Sequence, residues 1–157
     1  MLAITEFSIR LVQSSDLDAI SRLEDASFKD PYPPYFLSQL AHDNPETFLV
    51  ATINDKPVGY AVVESWGDHH HLISSAVNPD HRRKGVGRKL LNELERRLPS
   101  DRSLKLEVRK SNREALELYL KDEFRQTDVS EGYYADGEDA IIMEKRLIKA
   151  KSQHKSP

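Results

Sequence analysis

The middle of the chain places an apolar segment, a basic turn with two glycines and an amphipathic helix in direct succession. The apolar segment is residues 72–77, and the turn reads Arg82-Arg83-Lys84-Gly85-Val86-Gly87-Arg88. The first N–H groups of a helix have no intrahelical acceptor, and together with the helix dipole they favour an anion. Glycines let phosphate oxygens approach the backbone closely. The pattern therefore predicts an α/β fold with a phosphate-binding turn.

Two other nucleotide-binding turns and a nucleic-acid patch fit these residues less well. A Walker loop needs G-x-x-x-x-G-K-[ST], and a dinucleotide turn needs G-x-G-x-x-G where this chain has Leu90, so both are excluded. A nucleic-acid patch requires neither glycines at this spacing nor an apolar helix behind them. Phosphate binding is favoured, while glycines that only shape a turn remain an alternative.

Composition excludes several classes of protein. The chain has 157 residues, a size typical of one domain, and its 23 Lys and Arg against 26 Asp and Glu give a formal charge of −3. This balance predicts no general attraction to nucleic acid or membranes. Cysteine is absent, which excludes disulfides, thiolate metal sites and cysteine nucleophiles. The chain has no leader-like or membrane-spanning apolar run, so we expect a cytoplasmic protein. We also expect a monomer or a weak homodimer.

Hydrophobic periodicity predicts the element order β α α β β β α β α β β. This order indicates an α/β (α+β) fold, with a mixed, mostly antiparallel sheet of about seven strands and helices on both faces. Ser15 with Asp18, and Ser111 with Glu114, resemble helix-capping boxes, and residues 54–57 are predicted as a four-residue hairpin loop. The prolines in residues 30–35 predict a rigid loop, followed by a short helix over residues 36–41. We expect one domain over residues 1–147 and a flexible, polar, basic tail over residues 148–157.

Arg82-x-x-Gly85-x-Gly87 resembles the acetyl-CoA signature [QR]-x-x-G-x-[GA] of the GNAT acetyltransferases. The resemblance extends to three further blocks: Leu106-Glu107-Val108-Arg109-Lys110-Ser111-Asn112, Ala115-Leu116-Glu117-Leu118-Tyr119 and Tyr133-Tyr134-Ala135-Asp136-Gly137-Glu138-Asp139-Ala140. Together these blocks are similar to the protein N-terminal acetyltransferases, over roughly residues 9–147. The resemblance implies a GNAT fold and direct transfer of the acetyl group of acetyl-CoA to α-amino groups of proteins.

The resemblance also implies cofactor-binding residues. It pairs the backbone of Ser75, Ala76 and Val77 with the pantetheine arm and lets Asn112 bind that arm, although sequence alone makes Asn112 a helix-start residue. The implied pyrophosphate site comprises Arg82, Arg83, Lys84, Gly85, Val86, Gly87 and Arg88. No metal is expected, because neighbouring residues in the strand containing His69-His70-His71 point alternately to opposite faces.

Two residues are implied to move protons. Glu107 would be the general base, although its place on a strand also fits a solvent-facing carboxylate. Tyr119 would be the general acid that protonates the departing thiolate, although its helical spacing also fits a core aromatic. A backbone N–H at the strand end, that of Val77, would meet the oxyanion.

The implied substrate is a protein N-terminus, including those of ribosomal proteins or nascent chains. The expected substrate-binding residues are Asp30, Tyr32, His71, Tyr133 and Tyr134, with Tyr35 beside them. Surface tyrosines that cap the sheet, and a His71 that only packs, remain alternatives. So do acetylation of lysine or small amines, and a module that binds acetyl-CoA without turnover. Asp30, Ser75 and Glu123 depart from the commoner glutamate, aliphatic residue and glycine.

Overall fold

A computed structural model describes residues 6–147. In chain order the elements are β1 (Ser8–Leu11), α1 (Leu17–Ser27), α2 (Pro34–Asp43), β2 (Phe48–Ile53), β3 (Lys56–Ser65), β4 (His70–Val77), α3 (Val86–Arg97), β5 (Ser103–Arg109), α4 (Arg113–Lys121), β6 (Arg125–Ser130) and β7 (Ala140–Arg146). The predicted element order is confirmed. The tail predicted over residues 148–157 lies outside the described residues.

The seven strands form a mixed sheet in the order β1-β2-β3-β4-β5-β7-β6. The pairs β1–β2, β2–β3, β5–β7 and β6–β7 are antiparallel, whereas β4 and β5 are parallel. The parallel register comprises His70 with Leu104 and His71 with Lys105. Residues 75–77 of β4 therefore lie beyond this register. The predicted mixed, mostly antiparallel sheet is confirmed.

The chain forms two compact units. One contains Ile73–Arg97 and the described residues up to Glu64, and the other contains Ser65–Leu72 and the described residues from Leu98 onwards. The first unit has an apolar core formed by Ile20, Leu23, Leu37, Leu40, Phe48, Val50, Tyr60, Val62 and Ala76. In the second unit, Leu104, Leu106 and Val108 alternate with half-exposed residues along β5 and are buried. No helix within residues 6–147 is long and apolar enough to cross a membrane.

Gly59 of β3 lets the start of α3 pack closely in the first unit. A Cβ at this position would lie 3.2 Å from the carbonyl oxygen of Ala76 and 3.3 Å from Cγ1 of Val86. Both distances are tighter than most Cβ contacts, so the glycine permits this approach. It therefore allows Val86, the first residue of α3, to pack against β3 and β4.

The hairpin between β2 and β3 is tighter than predicted. Ile53 pairs with Lys56, so the loop contains only Asn54 and Asp55, whose φ angles are 51° and 66°. Two central residues with positive φ are typical of a type I′ turn, which matches the twist of the strands. Pro57 pairs with Thr52 beside a register shift, so a proline lies in a strand where the ladder is already irregular.

Three predicted helix starts are corrected. The box of Ser15 and Asp18 does not open α1, which begins at Leu17 with Asp16 as N-cap. The second helix begins at Pro34 rather than at about residue 36, since proline suits the first helical position. The N-cap of α4 is Asn112, not Ser111, because its side chain accepts a hydrogen bond from the N–H of Ala115.

Candidate functional site

The basic turn has a backbone shape suited to an anion. Arg83 and Gly85 have positive φ angles of 64° and 86°. Such residues alternate with right-handed ones in the concave backbone arrangements that bind anions. The first intrahelical bond recorded at this end runs from the N–H of Lys89 to the carbonyl of Gly85, at 3.0 Å. The amides of Val86 and Gly87 come before it, so they have no acceptor within the helix.

The same turn is open above its backbone. A Cβ added at Gly85 would meet no protein atom within 4 Å. The side chains of Arg83, Lys84 and Arg88 are exposed around it. Positive charge and an uncovered helix start therefore coincide, which is the arrangement that a pyrophosphate requires.

Arg82 connects the basic turn to the end of β4 through a hydrogen bond. Its Nε donates a hydrogen bond to the carbonyl oxygen of Val77 at 2.9 Å, and the N–H of Asn78 donates to Val58 at 2.8 Å. The predicted cofactor residue Arg82 thus has a structural contact as well. Ser75, Ala76 and Val77 lie directly before this anchor, on the strand that leads into the turn.

A buried carboxylate lies under the proline-rich loop of the first unit. Glu24 is only 2% exposed and accepts hydrogen bonds from the hydroxyls of Tyr60 and Ser74, the latter at 2.7 Å. Its other oxygen accepts the backbone N–H of Tyr32 at 3.0 Å. Burial raises the pKa of Tyr60 well above its usual range, and the Glu24 charge raises it further. Glu24 therefore fixes the backbone at Tyr32, one of the predicted substrate residues.

Glu24→Ala is expected to lower the free energy of unfolding and to raise the KM for the acceptor. Each buried donor left without an acceptor costs about 1–3 kcal/mol. Three donors lose this carboxylate, of which the Tyr60 and Ser74 hydroxyls, 3.1 Å apart, can still bond to each other. The matched control is Asp25→Ala, because Asp25 is exposed on the same helix. Urea unfolding monitored by tryptophan fluorescence measures the difference. Equal stability of the two variants would contradict this role.

Glu107 lies on β5 with its carboxylate bonded to a histidine of β4. Both of its oxygens are 2.9 Å from Nε2 of His71. The side chain of His71 is 8% exposed and that of Glu107 is 24% exposed, so Glu107 is half-buried but reachable. The Trp66 ring stacks on His71 with centroids 4.1 Å apart and planes 11° apart. The structure thus brings the predicted residues His71 and Glu107 together.

Tyr119 is held at the end of α4 by a tight turn. Burial raises the pKa of its hydroxyl above the usual range, so the group remains protonated and can act as a donor. Its carbonyl accepts the N–H of Phe124 at 3.0 Å, and the two rings form an edge contact at 5.5 Å. Glu123 between them has a φ of 71°, where a glycine is usual. No hydrogen bond joins Tyr119 to Glu107 within residues 6–147.

Arg109 anchors the loop that carries Tyr133 and Tyr134. Its Nη1 lies 2.8 Å from Glu138 and 3.0 Å from Asp136, and its guanidinium lies 4.1 Å from the Tyr134 ring centroid. Burial raises the pKa of Tyr134 to about 12, and the charges of Tyr133 and Glu107 add to this rise. Tyr133 is 52% exposed. The acidic residues of this block therefore serve to hold the two tyrosines in place.

The other predicted substrate and cofactor residues lie in the loop before α2, in α2 itself and at the start of α4. Asp30 lies exposed in the loop between α1 and α2, and Tyr32 contacts Phe36 with ring centroids 4.7 Å apart. Tyr35 is 77% exposed and lies in the first turn of α2, not in the loop. Asn112 uses its side-chain oxygen as the cap of α4, which leaves its amide NH₂ for a ligand.

Sequence reasoning missed Glu24 and the partners of His71. Glu24 follows Ile20 by four residues, so the helical period already placed it on the buried face. His69 directly precedes β4, and its Nε2 lies 3.0 Å from Nδ1 of His71. His70 points elsewhere, towards Ser65 and Pro99. Among residues 6–147 no cluster of His, Cys, Asp or Glu is suited to hold a metal ion.

A family model described as the acetyltransferase (GNAT) family matches residues 17–124. The chain belongs to the GNAT acetyltransferase family. The matched segment contains the basic turn, Glu107 and Tyr119. The predicted family, fold class and enzyme class are therefore confirmed.

Known relatives of this GNAT protein match over most of its length. An N-alpha-acetyltransferase of Saccharolobus solfataricus is 32% identical, with 90% of this chain and 94% of the relative covered. The [ribosomal protein bS18]-alanine N-acetyltransferase of Escherichia coli is 34% identical, with 87% and 95% covered. The crystal structure of Ard1 from Thermoplasma volcanium superposes with a TM-score of 0.85 at 27% identity, covering 91% of this chain and 99% of that one.

Proposed function

We propose that this GNAT enzyme transfers the acetyl group of acetyl-CoA to the α-amino group of protein N-termini. The observation that carries the proposal is the Glu107 carboxylate, half-buried on β5, bonded to His71 and close enough to act on Tyr133 and Tyr134 electrostatically. The names of its relatives support the choice of N-termini over lysine side chains or small amines. We propose ribosomal proteins or nascent chains as the source of these N-termini, and the cytoplasm as the compartment.

Acetyl-CoA is proposed to bind through residues of β4, the basic turn and α3. The amides of Val86 and Gly87 would donate to the pyrophosphate, with Arg83, Lys84 and Arg88 supplying positive charge. The backbone of Ser75, Ala76 and Val77 would pair with the pantetheine arm as an added strand does. Asn112 would contribute its free amide NH₂ to the same arm.

The chemistry requires a neutral amine and a protonated leaving group. A free α-amino group has a pKa near ~8, against ~10.4 for lysine, so deprotonation of an N-terminus costs less. Glu107 takes this proton, the amine nitrogen attacks the thioester carbonyl, and the N–H of Val77 stabilises the oxyanion. The C–S bond then breaks and the protonated Tyr119 hydroxyl gives its hydrogen to the thiolate. The second proton lost by the nitrogen as the amide forms restores the Tyr119 hydroxyl.

The acceptor is proposed to contact the substrate-binding tyrosines. Tyr32 is fixed by Glu24, and Tyr134 is fixed by Arg109, so these aromatic walls are ordered before binding. Ordered walls lower the entropy lost when the peptide binds. In a protein N-terminus the backbone begins at the reacting nitrogen. A narrow slot that holds the carbonyl and amide of the first substrate residue therefore suits an N-terminus better than a lysine side chain. We expect small first residues, such as Ser or Ala, to be accepted.

The test is mass spectrometry of peptides that carry both a free N-terminus and an internal lysine. The peptides differ only in their first two residues and are incubated with the full chain and acetyl-CoA. We expect acetyl groups on the N-terminal nitrogen, and none on peptides whose N-terminus is blocked. Acetyl groups mainly on lysine would overturn the proposal in favour of a lysine acetyltransferase. Binding of acetyl-CoA with no transfer to any peptide would favour a binding module.

A further inference from the structure

A continuous line of hydrogen bonds leads from Glu107 to the surface of the second unit. Beyond His71, Nε2 of His69 lies 3.0 Å from Nδ1 of His71, and Nδ1 of His69 lies 2.7 Å from Oδ1 of Asp68. The side chains of His71, His69 and Asp68 are 8%, 13% and 86% exposed. The exposed fraction of the side chain therefore rises from His71 to His69 and again from His69 to Asp68.

The loop that carries this line is fixed at several points. The N–H of Trp66 donates to the carbonyl of His69 at 2.8 Å, and Arg102 donates to the Trp66 carbonyl at 2.9 Å. The Trp66 ring stacks on His71 and meets the edge of His69 at a centroid distance of 5.2 Å. The three polar side chains are thus held in line by packing and not by their own bonds alone.

The three hydrogen bonds of this line require three hydrogens. Three hydrogen bonds join two carboxylates through two imidazoles, and each neutral imidazole carries one hydrogen. The hydrogen bond from His69 keeps the pKa of the Asp68 carboxyl below its usual range, so Asp68 is an acceptor and His69 holds its hydrogen on Nδ1. Nε2 of His69 then accepts from Nδ1–H of His71. Two neutral rings supply two of the three hydrogens, so the line is complete once Glu107 carries the proton of the substrate amine and donates it to Nε2 of His71.

We propose that His71, His69 and Asp68 form a proton relay that carries the proton of the substrate amine from Glu107 to water. The Glu107 O–H bond breaks as the Nε2–H bond of His71 forms. The Nδ1–H bond of His71 breaks as the Nε2–H bond of His69 forms, and the Nδ1–H of His69 passes to Asp68. Every electron pair stays on its own nitrogen or oxygen, so one proton enters at Glu107 and one leaves at Asp68. Exchange with water returns the rings to their Nδ1–H forms.

The relay has a role distinct from that of the general base. It rests on the proposed function, because it disposes of the proton that Glu107 takes from the amine. The acetyl group, the thiolate and Tyr119 play no part in it. Without the relay, Glu107 would release its proton only to a water molecule that reaches the half-buried carboxylate itself. His69 and Asp68 would then limit the rate although neither contacts the substrate.

The test measures acetylation of an N-terminal peptide by the full chain and its His69→Ala variant, with and without imidazole in the buffer. We expect kcat of the variant to fall by about tenfold, a modest part of the ~10²–10⁴-fold that proton transfer contributes. Added imidazole should restore the rate of the variant and leave that of the wild type unchanged, because a free base replaces the missing relay member. A residue that only supports the fold would not be rescued in this way.

Controls separate the relay from the proposed function. His42→Ala, an exposed histidine of α2, should keep the wild-type rate at all imidazole concentrations. Asp68→Asn changes an exposed side chain that the fold does not need, so it tests the relay even where His69→Ala fails to fold; we expect a smaller, imidazole-sensitive loss. Full rates of both variants without imidazole, beside an active wild type, would overturn the relay alone. No peptide acetylation by the wild type would overturn the proposed function and the relay with it.

Discussion

Glu107→Gln is expected to lower kcat for N-terminal acetylation by about 10²–10⁴-fold at neutral pH, because the amide cannot take the proton of the amine. The affinity for acetyl-CoA should remain close to that of the wild type, since the carboxylate is assigned to the acceptor. Part of the rate should return above pH ~8, where more of the α-amino group is already neutral. Steady-state kinetics between pH 6 and 10 would measure both effects.

The matched control is Glu144→Gln on β7. Glu144 pairs with Lys105 on the same strand that carries Glu107, so it is a strand glutamate in a comparable setting. Its replacement should leave kcat unchanged. Tyr119→Phe, which keeps the ring contact with Phe124, should also lower kcat without changing cofactor affinity. Near-normal rates of Glu107→Gln at neutral pH would show that another group or an ordered water accepts the proton.

Gly87→Glu is expected to weaken acetyl-CoA binding by more than about 100-fold, because like charges brought together cost several kcal/mol. The new carboxylate would stand in the first turn of α3, where the pyrophosphate is proposed to lie. A negative charge at a helix start favours the helix itself, so the fold should be retained. Isothermal titration calorimetry with acetyl-CoA, beside thermal unfolding of the same sample, measures the two quantities separately.

Gly87→Ala separates the effect of charge from that of added volume. Gly87 is not among the residues with positive φ, so alanine introduces no backbone strain. Alanine also satisfies the family signature at this position, and its affinity should stay within a few-fold of the wild type. A folded Gly87→Glu protein with unchanged affinity would refute the phosphate assignment and leave the glycines as shapers of a turn.

The order of the elements could be predicted because burial follows periodicity in this chain. On β5, Leu104, Leu106 and Val108 alternate with polar residues as a half-buried strand requires. The hairpin loop was predicted too long because Lys56 and Pro57 have the composition of a turn. Pro57 instead occupies a strand position beside a register shift, a tertiary arrangement that composition cannot indicate.

The candidate site was predicted only where motif and chemistry coincide. The glycines of the basic turn were visible as a pattern, whereas Glu107 was an ordinary strand carboxylate until the family resemblance singled it out. Glu24 was not predicted because a buried carboxylate depends on donors that are distant in sequence, here Tyr60 and Ser74. Which ring nitrogen of His69 and of His71 faces which partner likewise depends on the three-dimensional structure.

The left-handed residue Glu123 affects how fully Tyr119 is held in place. A non-glycine residue in this region costs about 1–2 kcal/mol, and that cost falls on the last turn of α4. Local opening of a helix end is governed by its own small free energy and not by that of the whole protein. A strain of this size raises the population of the frayed end by roughly 5–30-fold. The fraction of molecules with the Tyr119 hydroxyl in its working position is therefore adjusted by a side chain that takes no part in the chemistry.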